Sequence, residues 1–378
     1  MSSKRAKATP AQRALILRAA NDMGIGEIQT TDCCPPDYCR VRIISCGICA
    51  SDDHFLRNGR IGNFVVDEPM VLGHEAAGVV VEVGDDVVHL LVGDKVAIDP
   101  TVACGQCARC RESRTNLCQK VTCFATPPTH GALCTSLVHP ARLCFKLPPP
   151  LTTIHGAMCE PLSVAVYAVE TKAAVKAGQT VAVFGAGPIG VLTSLVAAAN
   201  GCFVIAIDLN ANRLLALKAL LPQGVTTLAP RGSPEETAAA IRAAAAEQGG
   251  EDGIAASIDC TGAEACLRAA IFATRNGGVV VMVGLGRPDN SLPTVDALLR
   301  EVRLEGCFRY RNTWPRAIEL MASGKIPLDA LVTHRFDFTD AGTREAFDAC
   351  NRGQGSDGRA VIKCMIQLAP EPPTNGDS

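Results

Sequence analysis

The pattern of apolar and polar positions changes character near residue 165. Before it, short runs rich in Val or Ile (residues 40–45, 78–83 and 95–98) are separated by Gly and Pro, which predicts short strands joined by turns. A first strand-like run opens at 14–18, and the prolines at 148–150 mark a break. Beyond residue 165 the runs 180–184, 203–208, 255–259 and 279–283 are mainly apolar. Helical stretches alternate with them at 189–199, 212–221 and 235–248, the last behind Ser233 as N-cap. Strands without polar alternation, separated by helices, predict a parallel sheet covered on both faces. After about residue 305 the rhythm fades, and β-like segments return at 331–338 and 360–366. The expected fold is α/β, with a doubly wound parallel-sheet domain over 165–304. It stands between two pieces of a mostly β domain, 1–164 and 305–378.

Composition narrows the partners. The 378 residues carry 36 Lys plus Arg against 38 Asp plus Glu, a net charge of −2, so neither nucleic acid nor an anionic membrane surface is expected as a partner. Hydrophobic residues make up 48% and charged residues 20%, as in a globular chain, and no apolar run reaches the ~18–20 residues of a membrane span. Aromatics at 4% leave an aliphatic core.

Cysteine is the unusual count: 19, of which 13 precede residue 165. No apolar signal core opens the sequence, so reduced thiols and a cytoplasmic location are expected. The basic stretch free of acids up to Asp22 weakly resembles a transit peptide and keeps mitochondrial targeting as the second expectation. The terminal Asn-Gly-Asp-Ser is not a peroxisomal signal. Clustered thiols without oxidation point to metal, although most cysteines are expected as small buried hydrophobes. Cys33, Cys34 and Cys39 attach to no motif.

Val181-Ala-Val-Phe-Gly185-Ala-Gly187-Pro188-Ile189-Gly190 reads as strand, glycine turn and helix. Gly185 suits the tight turn, Gly187 lets backbone approach a pyrophosphate, and Gly190 allows close packing of helix on strand. Alone the pattern is weak. An apolar strand before it, a helix after it and Asp208 at the end of the next strand make it a dinucleotide fingerprint. A carboxylate there bonds the adenosine ribose of NAD and repels the 2′-phosphate of NADP. Arg213 could accept that phosphate or lie against the ribose, and Asp208 tips the expectation to NAD.

Two constellations suit metal. Cys104, Cys107, Cys110 and Cys118 have the spacing of a closed four-thiolate site, in a polar lobe (100–120) with little else to order it. Structural zinc is expected; an iron–sulfur cluster fits the spacing less well. The second is scattered: Cys49 with Ser51 and Asp52, then Gly73-His74-Glu75, then Cys159-Glu160-Pro161. Thiol, imidazole and carboxylates beside Gly or Pro suit strand-end turns and an open zinc shell, but spacing alone does not establish that these segments meet.

These residues carry a resemblance. Gly73-His74-Glu75-Ala-Ala-Gly78, with Gly84 and Val87, resembles the zinc signature of the zinc-containing medium-chain alcohol dehydrogenases. Glu160-Pro-Leu-Ser-Val164, Phe308-Arg309-Tyr310 and Asn312-Thr-Trp-Pro315 resemble its polyol branch: sorbitol dehydrogenase, xylitol dehydrogenase (D-xylulose reductase) and L-arabinitol 4-dehydrogenase. The resemblance runs from about residue 14 to about 366.

It implies a GroES-like catalytic domain interrupted by a Rossmann domain, a polyol substrate oxidised to a ketose, NAD, and two zinc ions per chain. It places a catalytic zinc on Cys49, His74 and Glu75, with Glu160 reaching the metal directly or through water. Cys159 is expected to point away. Ser51 and Phe55 would flank the polyol, Phe124 would stand near it, and Arg309 and Tyr310 would line the substrate and nicotinamide pocket. Val283, Gly284, Leu285 and Phe308 would pass along the nicotinamide, and Glu160, Ser51 and His54 would carry the proton outward. Relatives are mostly homotetramers and sometimes homodimers. Three departures leave the choice of polyol open: Ala50 for Gly, Phe55 for Tyr, and Cys123 for an aromatic.

Overall fold

The computed structural model describes residues 11–31, 33–221, 223–248 and 253–372. The expectations on the basic N-terminal overhang and on the last four residues lie outside the described residues, in whole or in large part.

The chain forms two compact units, Met1–Glu160 with Val332–Ser378, and Pro161–Leu331. The sequence reading put the boundaries after 164 and 304. The difference has a plain cause. The parallel sheet ends with strand Arg303–Gly306, so its rhythm stops there, but helices Trp314–Ala322 and Leu328–Leu331 still belong to the second unit.

In the first unit, seven strands form the main sheet. Its centre is Tyr38–Gly47, where Cys39, Val41 and Ile43 point into the core and Arg42 points out. Glu75–Val83 pairs antiparallel on one side, with Gly47 opposite Glu75, and Lys363–Gln367 on the other, with Met365 opposite Gly47. This register brings the ends of three sequence-distant segments together, and the metal candidates lie there. Val332–Asp337 and Lys363–Gln367 fall where the β pattern returns, and they pair parallel. The core is aliphatic, with Leu15, Ile43, Val80, Ile98 and Leu133 fully buried. Of the cysteines without a motif, Cys33 is exposed, Cys34 half-buried, and Cys39 sits in the core with its Sγ 3.5 Å from that of Cys144. All 19 thiols are free.

In the second unit, six parallel strands run in the order Val225–Leu228, Phe203–Ile207, Thr180–Phe184, Ile254–Asp259, Thr274–Met282, Arg303–Gly306. This is the doubly wound order, with the first strand central and the crevice beyond its carboxyl end. Thr180–Phe184 is buried at every position, which is why it shows no alternation. Ser233 caps Pro234–Glu247 as expected, accepting from the Glu236 N–H.

Candidate metal centre and dinucleotide turn

Cys49 stands two residues past the end of the central strand and caps helix Ala50–Asn58. Three residues on, Asp52 is fully buried and turns back to accept from the Cys49 N–H at 3.2 Å through Oδ2. Its Oδ1 accepts from the Gly73 N–H at 3.0 Å and lies 3.4 Å from His74 Nδ1. One carboxylate thus ties the cysteine loop to the histidine loop and leaves His74 Nε2 to face a metal. Burial alone would lower the His74 pKa; the charges of Asp52 and Cys49 outweigh it and raise it well above the usual value.

Glu75 follows on the next strand. A Cβ on Gly47 would fall 2.1 Å from Glu75 Oε2, so glycine at the strand end makes room for the carboxylate. Lys363 Nζ donates to both carboxylate oxygens, at 2.6 and 2.7 Å, and to the Ile48 carbonyl at 3.1 Å. Burial disfavours the ammonium, but Glu75 more than compensates, and the Lys363 pKa is raised.

The ligand atoms of Cys49, His74 and Glu75 all lie within 4.8 Å of one another. A soft thiolate, an imidazole and a carboxylate that converge form a donor set that fits zinc, and a tetrahedral ion held by three protein donors takes its fourth ligand from water or substrate. Glu160 is not in that group. It is buried in the first turn of helix Cys159–Val166.

Cys104, Cys107, Cys110 and Cys118 form the second convergent group. The Sγ atoms of Cys107 and Cys110 are 3.5 Å apart, and those of Cys104 and Cys110 are 3.9 Å apart. Four sulfurs at 2.3 Å around a tetrahedral zinc stand about 3.8 Å apart, so this lobe also fits the metal. The N–H groups of Gln106 and Cys107 pull the Cys104 thiol down to about 6, while burial and the neighbouring thiol push Cys110 up to about 12.

The other candidates are placed as follows. Ser51 is half-buried on the same short helix, His54 is exposed with Nδ1 2.9 Å from the Arg60 carbonyl, and Phe55 belongs to the core. Phe124 is half-buried, its ring 4.8 Å from that of His139. In the second unit, Arg309 adopts a left-handed backbone (φ +50°) with its guanidinium 5.0 Å from the Phe308 ring centroid. Tyr310 is buried edge-on to Trp314 at 5.9 Å.

The glycine turn has the expected form. Gly185 has φ +96°, and a Cβ on Gly190 would meet the Gly185 carbonyl at 1.8 Å, so helix and turn touch backbone to backbone. A Cβ on Gly187 would meet nothing within 4 Å. Protein packing does not require that glycine, whereas approach of a pyrophosphate does. Asp208 accepts from Ala186 N at 2.6 Å and from Asn210 N at 2.7 Å, so it anchors the turn and keeps lone pairs for a ribose. Arg213 Nε is buried without a hydrogen-bond partner among the described residues. These observations fit a bound dinucleotide.

Sequence reasoning missed Asp52 as a site residue and missed Lys363 altogether. The signal for Lys363 was present: one lysine inside the apolar run Val361-Ile362-Lys363-Cys364-Met365-Ile366.

Comparison with known proteins agrees with this geometry. Residues 35–149 match the alcohol dehydrogenase GroES-like domain, and 188–323 match the zinc-binding dehydrogenase domain. The chain is 44% identical to a sorbitol dehydrogenase of Arabidopsis thaliana over 338 residues, covering 88% of this chain and 89% of the plant enzyme. It is 41% identical to an L-idonate 5-dehydrogenase of Vitis vinifera, covering 87% of each. Among solved structures, (2R,3R)-butanediol dehydrogenase from Bacillus subtilis superposes with a TM-score of 0.82 at 29% identity, over 95% of this chain and all of that one.

Proposed function

Because the chain belongs to the zinc-binding medium-chain dehydrogenases, in the sorbitol dehydrogenase branch, we propose that it oxidises a secondary hydroxyl of a polyol to the ketone, with NAD as acceptor. The observation that carries this reading is the convergence of Cys49, His74 and Glu75, three donors where a tetrahedral zinc takes four ligands. When bound, zinc supplies the Lewis acidity that makes a secondary alcohol acidic, and NAD accepts the hydride.

The chain's own residues do the rest. Cys49 and Glu75 bring two negative charges to a divalent cation, and Lys363 offsets the carboxylate. Asp52 fixes the orientation of His74. Glu160 takes up the substrate proton, Ser51 passes it on, and His54, which is exposed and has Nδ1 held by the Arg60 carbonyl, releases it to solvent through Nε2. Arg309 hydrogen-bonds the hydroxyls beside the reacting carbon, as the Phe308-Arg309-Tyr310 resemblance to the polyol branch suggests. Val283, Gly284, Leu285 and Phe308 bear on the nicotinamide, and Asp208 favours NAD over NADP.

Assembly into a homotetramer or homodimer is supported by the edge strand Arg303–Gly306 and the adjacent helix Thr294–Leu299, which exposes Val295, Leu298 and Leu299. A cytoplasmic location is supported by the 19 free thiols. Among the described residues, no helix is long and apolar enough to cross a membrane.

The test is NAD reduction by the zinc-replete protein with sorbitol, xylitol, L-arabinitol, ribitol, threonine and ethanol. L-idonate belongs in the series, since the grape relative makes a sugar acid the second reading. Polyol activity abolished by a chelator and restored by zinc is the expected result. Turnover of threonine or ethanol alone refutes the substrate class, and two bound zincs with no activity on any of these substrates refutes it equally.

A further inference from the structure

Asp259 ends the strand Ile254–Asp259 in the second unit and is fully buried. The sheet does not need a carboxylate there: its register neighbours are Phe184 and Met282. What it holds are loops. Oδ1 accepts from Thr261 Oγ1 at 2.6 Å and from Thr261 N at 3.1 Å, and Oδ2 accepts from Gly262 N at 2.9 Å. Its carbonyl accepts from both Val283 N and Gly284 N at 2.9 Å. One residue therefore anchors the loop after its own strand and the loop after the next.

The two loops touch backbone to backbone. A Cβ on Gly262 would fall 2.3 Å from Gly286 N, and one on Gly284 would fall 2.3 Å from Gly262 N. Fixing one loop fixes the other, and Leu285 stands exposed at the crest between the two glycines. Only the methyl of Thr261 faces the dinucleotide turn, where a Cβ on Gly185 would lie 2.9 Å from Thr261 Cγ2, and the bonds to Asp259 do not pass through that contact. A buried carboxylate is costly unless its bonds are needed, and here every one of these bonds goes to a loop at the carboxyl edge of the sheet.

We propose that Asp259 is a positioning residue for the nicotinamide half of the cofactor, fixing the glycine bed 261–263 and 283–286 while leaving the adenosine half to Gly185–Gly190 and Asp208. This rests on the reading of Val283–Leu285 as backbone that faces the nicotinamide.

The experiment uses the full-length, zinc-replete protein and two probes. NADH, followed by the fluorescence of its reduced ring, reports the nicotinamide end; AMP, followed by calorimetry, reports the adenosine end. Asp259→Asn should weaken NADH binding about tenfold or more, because the amide cannot accept all three bonds, with a loss of the ring's bound-state emission. AMP affinity should stay within about twofold. Thr261→Val keeps the carboxylate and removes the hydroxyl that donates to Asp259 and accepts from Ala263 N; a smaller loss of NADH affinity, about threefold, is expected, again without loss of AMP.

Parallel weakening of NADH and AMP overturns the proposal in favour of general structural support, as does unchanged NADH binding in either variant. If Asp259→Asn does not fold, Thr261→Val decides by the same criteria. Wild-type protein that binds NADH no more tightly than AMP, with no change in ring emission, refutes the nicotinamide reading of Val283–Leu285 and the proposal with it. That result is distinct from a variant that leaves a normal wild-type signal unchanged.

Discussion

Lys363 grips both carboxylate oxygens of Glu75 in a site where neither side chain is more than 2% exposed. A buried pair of this kind is weak evidence for stability, yet breaking it by removing one partner costs about 3–5 kcal/mol. Lys363→Met should therefore destabilise the zinc-stripped protein by about that amount in denaturant unfolding. Zinc gives the stranded carboxylate a new counter-charge, so the zinc-loaded variant should lose clearly less. Removing both partners, in Lys363→Met with Glu75→Gln, should recover part of the loss in the stripped form. Equal losses with and without zinc would mean that Glu75 does not face the metal. The raised pKa of Lys363 sets the conditions: its contribution is complete below the ordinary lysine value and fades only as pH rises through the higher folded value, so neutral buffers test the pair intact.

Asp52 tests the other half of the centre. Asp52→Asn retains the size of the side chain but removes the charge facing His74 Nδ1 and weakens the ties to Cys49 N and Gly73 N. The affinity of this site for zinc should fall about 10–100-fold, read by competition with a chromogenic chelator. The four-cysteine lobe does not share these bonds, so mild chelation should leave one zinc per chain in the variant and two in the wild type. Loss of both metals together would count against Asp52 acting locally.

Much of this was legible in the sequence, and the gaps have physical causes. The central parallel strands could be read because burial on both faces makes them apolar throughout, as Thr180–Phe184 is. The edge strands Val225–Leu228 and Arg303–Gly306 were not, because partial exposure dilutes that signal. The four-cysteine group is local and could be read from spacing. The open group depends on strand register, Gly47 opposite Glu75 and opposite Met365, which no spacing encodes. Lys363 stands out as the one lysine in an apolar run, but its pairing with Glu75, 288 residues away, depends on the same register.

The lobe itself gives a third prediction. Cys110→Ser should cost one zinc per chain while Cys49, His74 and Glu75 keep theirs. The lobe has little apolar core, and its helix Ala108–Arg111 buries nothing. Losing the metal should therefore open it to trypsin at Arg109, Arg111 and Arg114, with cleavage at least about tenfold faster than in the wild type. Mapping of the early fragments by mass spectrometry checks this; cuts elsewhere first would show that the lobe does not depend on its metal.

Cofactor choice is tested at Asp208. Asp208→Ser removes the negative charge next to the site expected for the adenosine ribose. Preference should move toward NADP by about tenfold in the ratio of kcat/KM values, with Arg213 available to a 2′-phosphate. Because Asp208 also bonds Ala186 N and Asn210 N, kcat/KM with NAD should fall as well. A ratio that does not move would remove Asp208 from cofactor selection and leave it only as a brace for the turn.

His139 predicts how the first unit responds to acid. It is almost fully buried, with Nε2 2.8 Å from the Asp99 carbonyl, and burial holds its pKa down to about 4. In the unfolded chain the same imidazole titrates near its ordinary value of about 6.5. Its folded pKa is the lower of the two, so neutral His139 stabilises the fold above about pH 6.5. That contribution drains away as pH falls toward about 4, by about 3 kcal/mol at most. His139→Gln keeps an N–H donor toward Asp99 and does not titrate. The variant should be less stable at neutral pH through imperfect packing, yet its stability should fall less steeply than that of the wild type between pH 6.5 and 4. Urea unfolding of both proteins across that window measures the difference in slope. Parallel slopes would show that His139 takes up its proton in the folded state as readily as in the unfolded one, and that its burial does not govern acid sensitivity.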